Sequence, residues 1–201
     1  MPLKAILFDY GSVLVQLVDE IPRQQLAERY GVPLKRIYNL LFDTEASIQA
    51  ALGEINMEHH WRAIHEILHV PPGERSDFIK QFWSADGLNR ELVEILPALR
   101  ERYCLGLLSN ANDDLRQVLT ERWRIADLFD DMIISAEVGL LKPDRRIYEL
   151  AVQRLGVQPD EALFIDDMPV NVEGAQIAGL QAFQYIDNTQ VIDDLKRMRV
   201  I

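Results

Sequence analysis

The sequence predicts an α/β fold: a three-layer doubly wound (Rossmann-like) parallel sheet with an inserted all-helical cap domain. Three observations predict it. Five short segments read as strands, Ala5 to Phe8, Leu105 to Leu108, Met132 to Ile134, Leu163 to Ile165 and Ala182 to Tyr185, and the uninterrupted apolar run of the first suits a strand buried on both faces. From Gly87 onward these runs alternate with helical periodicity, the pattern of a parallel sheet with right-handed crossovers. Between Gln16 and Gly87 the chain reads as helix, for which a plain doubly wound fold has no place. Residues 1–15 and 88–201 are therefore expected to form the core domain, and residues 16–87 the cap.

The first strand organises the rest. Its apolar run stops at Asp9, and Gly11 and Ser12 supply turn chemistry. In an open parallel sheet, ligands bind beyond the carboxyl ends of the strands. Asp9 stands at such an end.

In the cap, apolar residues recur at three- and four-residue spacing over Pro22 to Tyr30, Leu34 to Phe42, Thr44 to Ala51, Met57 to His69 and Glu74 to Trp83. Breaks fall at Gly31-Val32-Pro33, near Gly53, at Pro71-Pro72-Gly73 and at Asp86-Gly87. His65-Glu66-Ile67-Leu68-His69 matches the zinc-protease string H-E-x-x-H. At 100° per residue the apolar stripe centres on Met57, Ile64 and Leu68, with His65 at its border and Glu66 facing solvent. No further histidine follows as a third ligand, so the motif is expected to be structural. His59 and His60 are given no metal role either.

Behind Gly87, Asn89 can cap a helix running to Leu99, and Leu105 to Leu108 end at Ser109-Asn110. A helix from Asp113 to Trp123 precedes the strand at Met132. The loop containing Lys142 and Pro143 leads into a helix marked by Ile147, Leu150, Ala151 and Leu155. The fourth strand ends at Asp166-Asp167, and a helix over Val172 to Ala178 precedes the last strand.

Composition bounds the chemistry. At 201 residues with 48% hydrophobic content the chain can bury a sizeable core. A net charge of −11 argues against nucleic acid or an anionic membrane as partner. It also means that a phosphorylated small molecule would need a metal or a local cation at its site. Cys104 is the only cysteine, which fits a reducing cytoplasmic setting, and neither a signal peptide nor a membrane span is expected. Oligomeric state is open.

Four polar sites thus converge on one edge of the sheet: Asp9, Ser109-Asn110, Lys142 and Asp166-Asp167. Adjacent carboxylates repel unless a cation or a shared proton intervenes. Three carboxylates, a lysine and a hydroxyl at strand ends describe a hard-cation site facing a phosphate.

The strings FDYGSVL, LLSNAN, EVGLLKPDRRIYELA and FIDDMPVNVEGAQIAGL resemble, in order and spacing, the four motifs of the haloacid dehalogenase (HAD) superfamily. The helical insert is similar to a type C1 cap. The resemblance implies that Asp9 is a nucleophile forming an aspartyl-phosphate that water hydrolyses. It implies a Mg2+ cofactor held by Asp9, the Gly11 carbonyl and Asp167, with Asp166 assisting directly or through water. Ser109 and Asn110 would bind the phosphoryl group, Lys142 would neutralise charge on that group and on Asp9, and Asn171 is expected to order the metal loop.

One position departs from the pattern. Most phosphatases of the family carry a second aspartate two residues after the nucleophile, as general acid and base; here Gly11 stands there. Such catalysis contributes about 10²–10⁴-fold, so modest turnover on alkyl phosphates is expected. A similar D-x-G motif occurs in a branch resembling α-D-glucose-1-phosphate phosphatase, which makes a sugar phosphate a candidate substrate. The rival readings are a catalytically weakened binding protein, a 2-haloacid dehalogenase, which lacks the acidic pair, and a phospho-receiver module, which lacks a cap. Arg23, Tyr38 and Arg62 are possible cap contacts to substrate.

Overall fold

The computed structural model describes residues 2–201. β1 (Ala5–Phe8) and β2 (Val15–Leu17) are followed by α1 (Ile21–Arg29), α2 (Leu34–Phe42), α3 (Glu45–Ala51), α4 (Met57–Ile67) and α5 (Arg75–Trp83). β3 (Asp86–Leu88) then returns antiparallel to β2, with Val15 opposite Leu88 and Leu17 opposite Asp86. This ribbon corrects the reading of Gln16 to Gly87 as helix alone. Three-residue strands carry too little periodicity to be seen in a sequence.

Local chemistry sets the helix ends. Thr44 and Ser47 form a reciprocal capping box that starts α3, and the Asn56 side chain accepts from the His59 N–H to start α4. Beyond β3 come α6 (Arg90–Val93), α7 (Leu96–Arg100), β4 (Cys104–Ser109) and α8 (Leu115–Gln117), which runs into a π-helical turn over Val118–Trp123. The stretch from Asn89 to Leu99 is two helices rather than one, because Pro97 has no N–H to bond back to Val93. β5 (Asp131–Ile134), α9 (Ser135–Val138), α10 (Arg145–Arg154), β6 (Ala162–Asp166), α11 (Pro169–Ile177), β7 (Gln181–Gln184) and α12 (Asn188–Arg197) complete the chain. α12, beyond the last apolar run, starts at the Asp187 carboxylate, which accepts from the Gln190 N–H.

The main sheet has the order β5-β4-β1-β6-β7 and every pairing in it is parallel. Phe8 lies opposite both Leu107 and Ile165, so β1, β4 and β6 end side by side. Side chains alternate across the sheet. Ile6, Phe8, Leu107 and Ile165 pack on one face against Leu92, Leu96 and Leu195; Leu7, Leu108 and Phe164 pack on the other against Ile147, Tyr148 and Ala175. All four residues of β1 are fully buried, which is why its sequence is uninterrupted apolar rather than alternating. A third cluster, built from Leu26, Ile37, Leu40, Met57, Trp61, Ile64, Phe78 and Phe82, gives the helices between β2 and β3 a core of their own.

Several contacts seat these helices on the rest of the chain, among them Arg122 Nη2 donating to the Trp83 carbonyl at 2.7 Å. The Met57 N–H, at the start of α4, donates to Asp113 Oδ1 at 2.9 Å. Gly53 passes so close to α9 that an added Cβ would lie 2.1 Å from the Ala136 carbonyl oxygen. Among the described residues no helix is long and apolar enough to cross a membrane.

Candidate active site

Strand ends deliver the polar groups to one place. Asp9 directly follows β1, where its N–H donates to the Ile165 carbonyl at 2.9 Å. Ser109 is the last residue of β4 and Asp166 the last of β6. Lys142 comes from the loop between α9 and α10. Its Nζ lies 2.9 Å from Asp9 Oδ1 and 2.6 Å from Asp166 Oδ2, and donates to the Leu108 carbonyl at 3.0 Å. Asp9, Ser109, Lys142 and Asp166 are all buried.

Asp166 has no freedom left. Asn171 Nδ2 donates to both of its oxygens at 3.1 Å, and the Met168 N–H donates to Oδ1 at 2.8 Å, at the entry to α11. Tyr148 in turn donates to the Asn171 carbonyl at 2.8 Å. Gly174 lets α11 approach the lysine loop. An added Cβ there would stand 2.7 Å from Pro143 Cβ and 3.1 Å from the Tyr148 hydroxyl oxygen.

The carboxylates of Asp9, Asp166 and Asp167 each offer an oxygen, and these atoms lie within 4.8 Å of one another. Burial pushes the Asp9 pKa up, Lys142 opposes that rise and Asp166 reinforces it. Burial also raises Asp167, again reinforced by Asp166 and opposed by the Ser12 side chain. A divalent cation would relieve this crowding, and an all-oxygen donor set fits a hard ion such as Mg2+. Gly11 adds no side chain, and the space where its Cβ would stand is open to 4 Å.

The structure thus brings together Asp9, Ser109, Asn110, Lys142 and Asp166-Asp167, which sequence reasoning singled out. It uses the Asn110 side chain in a way that motif spacing could not show. Asn110 Oδ1 accepts from the Lys142 N–H at 2.8 Å, while Nδ2 donates to the Lys142 carbonyl at 2.9 Å. Sequence reasoning passed over Ser135, whose hydroxyl accepts from the Ala111 N–H at 2.9 Å and donates to the Ala111 carbonyl at 3.0 Å, steadying the loop after Ser109. A buried serine following a strand carries no signal of its own.

The candidate cap contacts are occupied. Arg23 is buried, with Nη2 on Asp86 Oδ2 at 2.6 Å, Nη1 on the Tyr38 hydroxyl at 3.0 Å and Nε on the Phe82 carbonyl at 3.0 Å. Arg62 is exposed and pairs with Glu58 along its own helix. The H-E-x-x-H string forms no metal group. His65 is buried against Trp61 and Phe78, whereas Glu66 and His69 are exposed. Among the described residues, Asp9, Asp166 and Asp167 are the one cluster of three with metal-ligand spacing.

A profile described as haloacid dehalogenase-like hydrolase matches residues 3–179. The chain belongs to this family. As a haloacid dehalogenase-like hydrolase it is similar to the phosphoserine phosphatase of Thermus thermophilus, 38% identical over 86 residues, or 42% of this chain and 34% of that one. It is also similar to acyl-CoA dehydrogenase family member 10 of Mus musculus, 41% identical over 198 residues, covering 90% of this chain and 18% of that one. The chain therefore spans well under two thirds of either relative. A HAD family enzyme of Bacteroides thetaiotaomicron, solved in complex with magnesium and inorganic phosphate, shares the fold with a TM-score of 0.79 at 23% identity. The superposition covers 94% of this hydrolase and 98% of that enzyme.

Proposed function

We propose that this hydrolase is a Mg2+-dependent phosphatase that cleaves a small phosphomonoester through an aspartyl-phosphate on Asp9. The observation that carries the reading is the cluster of three carboxylates at the strand ends, two of which, Asp9 and Asp166, share one buried ammonium. A dehalogenase has no use for the acidic pair, and a plain binding module has no use for a nucleophile held against a lysine.

When bound, Mg2+ would be held by Asp9, Asp167 and the Gly11 carbonyl, with Asp166 behind them, and would supply charge neutralisation for the transferring group. The residues of the chain do the rest. Asp9 attacks phosphorus, the bond to the leaving oxygen breaks, and that oxygen keeps the electron pair and takes a proton from water. Lys142 reduces the repulsion between the Asp9 carboxylate and the phosphate dianion. Ser109 and the Asn110 N–H hold the phosphoryl oxygens, and a second water then cleaves the aspartyl-phosphate. The helices between β2 and β3 act as a cap over the leaving group, with sugar phosphates the first class to test.

The reading is tested with an aryl phosphate and a panel of sugar phosphates, with Mg2+ and with EDTA. Hydrolysis should need the metal and fall at least about 10³-fold in Asp9→Asn, since losing a nucleophile removes the covalent route. Turnover that survives EDTA or Asp9→Asn would overturn it.

A further inference from the structure

We propose that Asn110 is a positioning residue for Lys142, its side chain setting the lysine backbone while only its N–H faces the phosphoryl group. The inference rests on the phosphatase reading for its kinetic consequence, but its structural half stands alone. The carboxamide engages both backbone groups of one residue, the Lys142 N–H at 2.8 Å and the Lys142 carbonyl at 2.9 Å. This is the pairing that a strand neighbour makes, supplied here by a side chain at the end of β4.

The lysine is then tied at both ends to β4 and the residue that directly follows it. Its backbone is fixed by Asn110, and its Nζ returns to the Leu108 carbonyl at 3.0 Å. Between these anchors the stem crosses the strand end and sets the ammonium between Asp9 and Asp166. A lysine stem is flexible and its ammonium is a point charge, so a fixed backbone origin is what makes a two-carboxylate contact reproducible. Misplacing a catalytic group by an ångström can lower rates about 10²-fold. An Asn110 side chain spent on phosphate would leave the Lys142 N–H and carbonyl without these partners.

Acetylation by acetic anhydride, read by mass spectrometry at each lysine, tests the clamp without reference to activity. Lys142 is buried and should react slowly in the wild type, unlike Lys4, Lys35, Lys80 and Lys196. Asn110→Ala should label Lys142 at least about tenfold faster with the other four unchanged, whereas Ser109→Ala should leave Lys142 protected. Asn110→Asp keeps the acceptor but sets a carboxylate oxygen against the lysine carbonyl; it carries the same expectation if Asn110→Ala does not fold. In the kinetic half, Asn110→Ala should lower kcat/KM about 10²-fold, and the double variant with Lys142→Met should be no worse than Lys142→Met alone. Wild-type labelling in both Asn110 variants, or losses that multiply in the double variant, would overturn the proposal. A wild type inactive on every phosphate would instead sink the phosphatase reading, with the labelling result still deciding the clamp.

Discussion

Asp9 and Asp166 share a single ammonium, Lys142 Nζ lying 2.9 Å from Asp9 Oδ1 and 2.6 Å from Asp166 Oδ2. Removing that charge leaves two buried carboxylates facing each other, and breaking a buried pair typically destabilises by about 3–5 kcal/mol. Lys142→Met should therefore unfold at lower denaturant than wild type at pH 7 in EDTA. The sign with pH follows from burial, which raises the Asp9 pKa from its ordinary 3.8 even with Lys142 opposing. Such a group favours the fold while protonated and loses that favour as pH rises through its folded pKa. The deficit of Lys142→Met should thus be largest at neutral pH and shrink towards pH 4. A deficit independent of pH would show that the lysine matters through packing alone.

Gly11 stands where most phosphatases of the family carry their general acid, and an added Cβ there meets nothing within 4 Å. Gly11→Asp should therefore fit without steric conflict, its added charge being tolerated best with Mg2+ present. It should raise turnover on alkyl phosphates, whose leaving oxygen needs a proton, by up to about 10². Aryl phosphates, which leave without help, should change little. Equal effects on both substrate classes would mean that proton transfer to the leaving group does not limit this enzyme.

Much of this site was legible in the chain because its parts sit at strand ends. Asp9, Ser109 and Asp166 each follow an apolar run, and a parallel sheet gathers such ends without further information. The clamp between Asn110 and Lys142 was not legible, since it depends on two loops meeting across 32 positions and leaves no periodic trace. Nor was the β2–β3 ribbon, whose strands are too short to show alternation. α4 ends two residues short of the expected His69 for a local reason: Leu68 caps it, and His69 takes φ 54°, a conformation that no helical pattern anticipates.

Gly53 packs directly against α9. Its φ is +75° and an added Cβ would lie 2.1 Å from the Ala136 carbonyl oxygen. Gly31 provides the control, with φ +64° and open space around its Cβ position. Gly31→Ala should lose only the left-handed backbone preference, about 1–2 kcal/mol. Gly53→Ala should lose that and also push the α3–α4 corner away from Ala136 and Asp113. Thermal denaturation should show the larger fall in Tm for Gly53→Ala, and its KM should change where that of Gly31→Ala does not. Matching behaviour of the two variants would mean that the corner yields freely.

His65 is buried between Trp61 and Phe78, with its Nε2 lacking a hydrogen-bond partner among the described residues. Burial and the nearby Arg75 charge lower its pKa from 6.5 to about 4. A histidine with a depressed folded pKa supports the fold above its unfolded value and withdraws that support as pH falls from 6.5 towards 4. His65→Phe keeps an aromatic ring against Trp61 and Phe78, removes the unpaired nitrogen and removes the proton-binding site. Urea unfolding should find the variant close to wild type or more stable at pH 7. Its advantage should grow steadily between pH 6.5 and pH 4. An unchanged difference across that range would mean that His65 is protonated in the folded protein, and that its surroundings offer the charge a partner.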